Sequence, residues 1–258
     1  ARAREITPAP EFGVGRAALT VKALEELRFR YTPDLANDFL IFRLSLFNNT
    51  NLLDGLAKTD GFYSLYLGHS YEVTHSLLHP PYGRPEALLD FLNVSHISAA
   101  RAAYEWDKRD TAMPLVTVGQ APAYETDWAA CDRLFQKAFR PREVVYLPPE
   151  AASAIGERPR TEGKVSDLTV SPQRISATLE AEAPTMAVIS QSYYHPWKAR
   201  IDGEAVPLWR ANRGFQAVAV PAGIHQLELR YVDRFFQLGG AISLLTIGVC
   251  GGGLWFTR

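Results

Sequence analysis

The chain has 258 residues, of which 47% are hydrophobic and 21% are charged, and its formal net charge at pH 7 is -1. This balance gives no electrostatic argument for nucleic-acid binding, since nucleic-acid-binding proteins usually have a basic face, so no nucleic-acid partner is predicted. No Cys/His spacing typical of a metal site occurs, and the length favours two domains with ordinary cores.

The first 147 residues mix helical and strand patterns. The segment 18–30 reads as a strand or an amphipathic helix. Further helices are predicted at 64–78, 84–92 and 127–138, and strands at 96–100, 115–119 and 143–147. Helices that alternate with short strands predict a mixed α/β domain over residues 1–147. Residues 148–163, rich in Pro, Gly, Ala and charge, are predicted to be a linker.

After the linker the apolar pattern changes to a period of two, which is typical of half-buried strands. Strands are predicted at 165–170, 174–182, 186–190, 199–201, 204–206, 215–220 and 225–231. Asp202-Gly203 predicts a tight hairpin, because a two-residue type I′ turn needs positive φ at both positions. Residues 164–234 are therefore predicted to form an antiparallel β-sandwich, which makes the overall fold class α+β.

Residues 235–256 run FFQLGGAISLLTIGVCGGGLWF, which is 22 residues without a charged side chain. A helix of that length spans roughly 30 Å, the thickness of a hydrocarbon core, so a C-terminal transmembrane helix is predicted. A buried helix of a soluble protein is the alternative. The start, Ala1-Arg2-Ala3-Arg4, has neither an initiator Met nor a signal peptide. We expect upstream transmembrane helices of the same polypeptide as partners of this region.

Several segments resemble one family in order and spacing. They are SQSYYHPWKARIDG (190–203), VPLWRAN (206–212), FQAVAVPAG (215–223) and HQLELRY (225–231). These segments look like the C-terminal extracytoplasmic sandwich of the YfhO family of bacterial multi-pass membrane proteins, which precedes a last transmembrane helix. One departure is His195-Pro196, where the family usually has Pro-Gly, and it leaves the turn geometry open. Weaker similarity extends upstream through 48–49, 60–65, 88–94, 112–115 and 139–145.

The resemblance implies a function. YfhO-like proteins are grouped with membrane glycosyltransferases of the GT-C type, which take sugar from a polyprenyl-phosphate carrier on the outer face of the membrane. Their catalytic acid sits in an early loop that this chain lacks, so no catalytic residue, cofactor or metal is predicted here. We expect a bacterial cell-membrane protein with residues 1–234 extracytoplasmic, in contact with the lipid bilayer and an envelope glycan. Its expected role is accessory to glycosyl transfer onto an envelope polymer. The alternative is a non-catalytic, membrane-anchored glycan-binding or structural module.

The candidate glycan-binding residues combine aromatic rings, which stack on sugar faces, with groups that hydrogen-bond hydroxyls. They are Tyr193, Tyr194, Trp197, Trp209, Arg210 and Asn212. Packing of the aromatic rings in the sandwich core is the alternative. Asp60 is the best acidic candidate, although Asp60-Gly61 also suits a turn or a helix cap. His195 could be a ligand or base, but a turn residue before Pro is the simpler interpretation.

Overall fold

The computed structural model describes residues 9–30, 32–62, 64–77 and 83–256, with side chains described as far as residue 249. The α-helices in these ranges are Val21–Arg28 (α1), Leu35–Leu44 (α2), Gly68–Ser76 (α3), Glu86–Phe91 (α4), Asp127–Phe135 (α5), Ala152–Ile155 (α6) and Arg234–Phe256 (α7). The early strands are Arg16–Ala18 (β1), Val94–Ser98 (β2), Trp106–Lys108 (β3), Val116–Tyr124 (β4) and Val144–Leu147 (β5). The later strands are Gly163–Ser171 (β6), Arg174–Ala181 (β7), Thr185–Ile189 (β8), Trp197–Ile201 (β9), Glu204–Val206 (β10), Trp209–Ala211 (β11), Phe215–Val220 (β12) and Gly223–Tyr231 (β13).

The strands form three sheets. A small sheet has the order β1-β2-β3, and two five-stranded sheets have the orders β10-β9-β13-β7-β6 and β11-β12-β8-β4-β5. In the two five-stranded sheets, neighbouring strands are antiparallel except for the parallel pair β4 and β5. In the small sheet, β1 and β2 are parallel, whereas β2 and β3 are antiparallel. The two larger sheets pack face to face, so the predicted mixture of α/β structure with a β-sandwich is confirmed at this level.

The core between the two large sheets explains the period-two pattern. In β7, Ile175, Ala177 and Leu179 are buried in one cluster together with Ala187 and Ile189 of β8. The residues between them on β7 are only partly buried. The reason is that the sheet β10-β9-β13-β7-β6, which we call the first sheet, meets solvent on its other face. A sheet buried on one face only gives this clean alternation.

The sheet β11-β12-β8-β4-β5, which we call the second sheet, is covered on both faces. All five residues of β8 are buried. Ala187 and Ile189 face the sandwich core, whereas Met186 and Val188 belong to a second cluster with side chains of α4 and α5. The fold therefore has three layers, with the second sheet between the first sheet and the helices.

The sandwich includes strands from before the predicted linker. β4 is hydrogen-bonded to β8, with Val116 opposite Ile189, and β5 adds to the other edge of β4. The segment 148–163 contains a 3₁₀ turn and α6. Ala151 of the turn and Ile155 of α6 are buried in the cluster beneath the second sheet. A periodic pattern identifies strands but not their partners. The contribution of β4 and β5 could therefore not be read from residues 164–234 alone.

The last helix coincides with the predicted apolar segment. α7 extends from Arg234 to Phe256, and its large apolar side chains up to Val249 are exposed, Phe235 to 82%. Across the residues that the structure describes, no helix combines the length and apolar character needed to cross a bilayer. The transmembrane assignment of residues 235–256 stays a prediction.

The predicted hairpin is confirmed. Asp202 and Gly203 have φ values of 51° and 83°, and they connect β9 to β10 with Ile201 opposite Glu204. The Asp202 carboxylate accepts hydrogen bonds from Nδ1 of His225, at 2.6 Å, and from the backbone N–H of Gln226, at 2.8 Å. This pair ties the turn to β13.

The pair makes stability depend on pH. The hydrogen bond with Asp202 raises the pKa of His225 above its ordinary 6.5, and the bonds from Gln226 and His225 lower the pKa of Asp202 below 3.8. A raised histidine pKa stabilises the fold below pH 6.5 and loses that effect as pH rises through the folded value. The carboxylate contribution is present above pH 3.8 and is lost as pH falls through its lowered pKa.

We therefore expect the stability difference between wild type and His225→Gln to be larger at about pH 5 than at about pH 8. Chemical unfolding of both proteins at the two pH values measures it. Because the two proteins share all other titrating groups, the difference between them isolates the contribution of His225. An equal difference at both pH values would contradict the expected coupling.

Candidate functional site

Of the predicted aromatic residues, Trp197, the first residue of β9, lies in the sandwich core. Trp197 is 7% exposed and belongs to the cluster between the two sheets. Its ring meets that of Tyr231 edge-on at 5.6 Å, and the half-buried Tyr194 stacks on Tyr231 at 6.3 Å. Tyr193, also half-buried, donates its backbone N–H to the carbonyl of Gly214 at 2.8 Å. His195 is exposed in a turn, as its simpler interpretation required.

The structure does not bring the two predicted tryptophans together. Trp209 lies in β11, in the other sheet, and is half-buried against the cluster that faces the helices. Trp197 and Trp209 therefore contact different cores, so the six predicted residues do not form one continuous platform. Binding by any of them stays a prediction.

Asn212 holds the turn between β11 and β12. It has a φ of 45° and is 1% exposed. Its backbone N–H donates to the carbonyl of Tyr146 at 2.7 Å, and its Oδ1 accepts from the N–H of the same residue at 2.9 Å. These bonds attach the turn to β5. Asn suits this position because it tolerates the left-handed backbone that most residues avoid.

A group of charged side chains joins the sheet to the helices. Arg210 donates two hydrogen bonds to Asp127, at 2.9 and 3.0 Å, and Arg213 forms ion pairs with Asp127 and Glu72. The side chain of Arg213 is only 8% exposed. Arg210 also contacts His69, whose pKa is lowered by burial and by the two arginines. This network occupies the guanidinium of Arg210, and its partners are 83 and 141 residues away in sequence.

An aromatic cleft lies beside this network. It has a volume of about 360 Å³ and is lined mainly by residues between 47 and 75, together with Ser192. The rings of Tyr66 and Tyr71 are 4.3 Å apart, and the ring of His75 stacks on Tyr71 at 5.1 Å. These three rings on and before α3 form the aromatic side of the cleft.

The polar side of the cleft contains Asp60. Its carboxylate lies 3.5 Å from the ammonium of Lys58, whose side chain is buried and donates to the carbonyls of Leu46 and Asn48. Burial lowers the pKa of Lys58. Asn48 and Thr74 also line the cleft, and a smaller apolar pocket of about 270 Å³ meets it at Thr59, Asp60 and Thr74.

The cleft lies at the end of the sandwich from which α7 leaves. Ser192 belongs to the loop 190–196 that connects β8 to β9. In the same loop, the carbonyl of Pro196 accepts from the N–H of Val232 at 3.0 Å, two residues before α7 begins. One loop therefore borders both the aromatic cleft and the root of the apolar helix.

The chemistry of the cleft is that of binding. Stacked rings, a carboxylate, an amide and hydroxyls can hold a polar ligand that has apolar faces. In the described part of the chain, no three His, Cys, Asp or Glu side chains are grouped as metal ligands would be.

This architecture defines an α+β protein whose β-sandwich continues into a long apolar helix, with an aromatic cleft beside the start of that helix. Residues 158–243 match the family model described as "Bacterial membrane protein YfhO". The match covers β6 to β13 and the start of α7, which confirms the resemblance of the segments between 190 and 231. The weaker similarity upstream of residue 158 lies outside the match. Neither curated proteins nor solved structures gave a significant match.

Proposed function

We propose that this chain is the extracytoplasmic part of a YfhO-type bacterial membrane protein and that its aromatic cleft binds an envelope glycan near the membrane surface. Residues 1–234 would lie outside the membrane, and α7 would anchor them in it. The observation that carries the proposal is the set of adjacent rings Tyr66, Tyr71 and His75, which line one cleft together with Asp60 at the helix end of the sandwich.

Sugars suit this cleft chemically. Pyranose rings present apolar C–H faces that stack on aromatic rings, and their hydroxyls need donors and acceptors at the rim. Asp60 and Asn48 supply carboxylate and amide groups, and Thr74 supplies a hydroxyl. The volume of about 360 Å³ lies within the range of small-molecule sites, which extends from about 300 to 1,000 Å³.

Membrane anchoring is supported by the sequence and exposure of α7. Its segment 235–249 carries no charge, and its large side chains, such as Phe236 and Leu244, contact little of the remaining protein. A contiguous apolar surface of this kind needs a cover, and a bilayer or other transmembrane helices would supply it. The upstream helices of the same polypeptide are the proposed protein partners.

The proposed biological role is accessory to lipid-carrier-dependent glycosyl transfer. A cleft at the membrane surface could hold the acceptor polymer close to a polyprenyl-phosphate sugar donor bound by the upstream part of the protein. The catalytic acid would also come from that part, so this chain alone would be inert in transfer.

A structural module without ligand is the second candidate. It is favoured because several predicted glycan-binding residues make structural contacts. Trp197 packs in a core, Asn212 holds a turn, and Arg210 pairs with Asp127. These contacts explain the residues without any glycan.

A glycan array with the full chain in neutral detergent separates the two candidates. We expect saturable binding that Tyr71→Ala weakens about tenfold or more, because a central aromatic contact is worth more than about 1.4 kcal/mol. His75→Ala, which removes an exposed ring of the same stack, should weaken it in the same direction.

The matched control is Trp128→Ala, since Trp128 is a 79% exposed aromatic residue on α5 outside the cleft. It should leave binding unchanged, and melting curves should show that every variant is folded. Absence of wild-type binding at millimolar glycan, or full binding by both cleft variants, would favour the structural module.

A further inference from the structure

Three cations stand side by side on the outer face of the first sheet. Arg230 of β13 is directly opposite Lys198 of β9 on one side and Arg174 of β7 on the other. Lys198 and Arg174 are exposed, as is Arg230, whereas their strand neighbours Trp197, Ala199 and Leu229 point into the core. Like charges directly opposite one another destabilise a sheet, so this row needs compensation.

The protein supplies only part of that compensation. The Glu228 carboxylate forms ion pairs with both Arg174 and Arg230, at 2.7 and 2.9 Å. The bond from Arg230 and the nearby arginines lower the pKa of Glu228 and keep it charged. The ammonium of Lys198 donates to the carbonyl of His195 at 3.0 Å, which is a neutral acceptor. One carboxylate therefore pairs with two of the three cations, and the hydrogen bond of Lys198 goes to an uncharged acceptor.

The row continues toward the apolar helix. A cavity of about 670 Å³ is lined by Lys198, Arg200 and Arg230. Arg234 and Phe235, at the start of α7, also line it. We define these four cations and Arg174 as the basic face. The carboxylates among the residues that line this cavity are Glu228 and Asp233, fewer than its four cations, although the whole chain has a net charge of -1.

We propose that the basic face is a docking surface for the phosphate headgroups of anionic glycerophospholipids. The inference rests on the proposed membrane anchoring by α7, and it is independent of the glycan cleft. A helix entering the bilayer at Arg234 brings the face to the level of the lipid phosphates. Phosphate diesters there supply the negative charge that the cation row lacks.

The test uses the full chain in a neutral detergent, titrated by calorimetry with short-chain phosphatidylglycerol. Short-chain phosphatidylcholine is the neutral lipid control, and inorganic phosphate represents a free anion. We expect phosphatidylglycerol to bind at least about tenfold more tightly than phosphatidylcholine, with affinity falling as salt rises.

The variant is Lys198→Gln with Arg230→Gln, and its control is Lys164→Gln on β6 of the same sheet. Each cation of the row should contribute about fivefold, so the double variant should bind phosphatidylglycerol about 25-fold more weakly. Lys164 is exposed opposite Glu180, outside the basic face, and its variant should bind like wild type. Folding should be retained, since the double variant removes like-charge contacts and leaves Glu228 paired with Arg174.

Equal binding of the two lipids, or an unchanged affinity in the double variant, would overturn the proposal. Tighter binding of inorganic phosphate than of phosphatidylglycerol would also overturn it, because the face would then be a site for a soluble anion. Anchoring is measured separately by flotation with phosphatidylcholine vesicles. Loss of lipid selectivity with intact flotation would therefore reject this proposal without rejecting the membrane anchor.

Discussion

Replacing Trp197 with alanine is expected to lower the free energy of unfolding by about 3–5 kcal/mol, the usual cost of truncating a large aromatic side chain in a core. Trp197 is 7% exposed in the cluster between the sheets, and its ring packs edge-on against Tyr231. Truncation leaves a cavity at the end of the sandwich where β13 runs toward α7.

Chemical unfolding of the full chain in neutral detergent, followed by circular dichroism, measures this effect. Trp128→Ala is the control, because a change at an exposed position away from contacts stays within about 0.5 kcal/mol. A Trp197→Ala protein of wild-type stability with reduced glycan binding would instead support the ligand role predicted from the sequence.

Asn212→Ala is expected to lower the free energy of unfolding by about 2–5 kcal/mol. It leaves the part-buried N–H of Tyr146 without its acceptor, at about 1–3 kcal/mol, and places alanine in left-handed backbone, at about 1–2 kcal/mol. The φ of 45° and the 2.9 Å bond to Tyr146 are the features that create both costs.

Asn212→Gly separates the two costs, because glycine adopts this backbone without strain but has no Oδ1. Its loss in the same unfolding experiment should be smaller than that of Asn212→Ala. Equal losses would mean that backbone strain contributes nothing, and wild-type stability in both variants would contradict the structural role of the side chain.

The fold could be predicted where the signal is local. The strands after residue 163 follow from period-two burial, the hairpin follows from Asp202-Gly203, and α5 begins after Thr126, whose hydroxyl caps the helix. The helix α2 was missed because its sequence, LANDFLIFRL, is apolar on more than one face. The strand β11 has three residues, too few to show any period.

The cleft and the charged network could be predicted only in part. Asp60 was recognised as the best acidic candidate, and it does line the cleft. Its aromatic partners were not recognised, because Tyr66 and Tyr71, although within the helix predicted at 64–78, carry no pattern that shows which part of the chain the helix meets. The pairing of Arg213 with Glu72 spans 141 residues, and no local pattern records a contact of that separation.

The position of β4 between β5 and β8 has a consequence for folding. During synthesis β4 and β5 emerge first, and one edge of β4 has no strand partner until β8 follows about 60 residues later. An unpaired edge is a template for wrong pairing, and long-range contacts form slowly. The early half of the chain therefore passes through an aggregation-prone interval, which shielding by a chaperone or by neighbouring protein would shorten. The stretch 158–243, expressed without β4, would carry the same exposed edge permanently on β8.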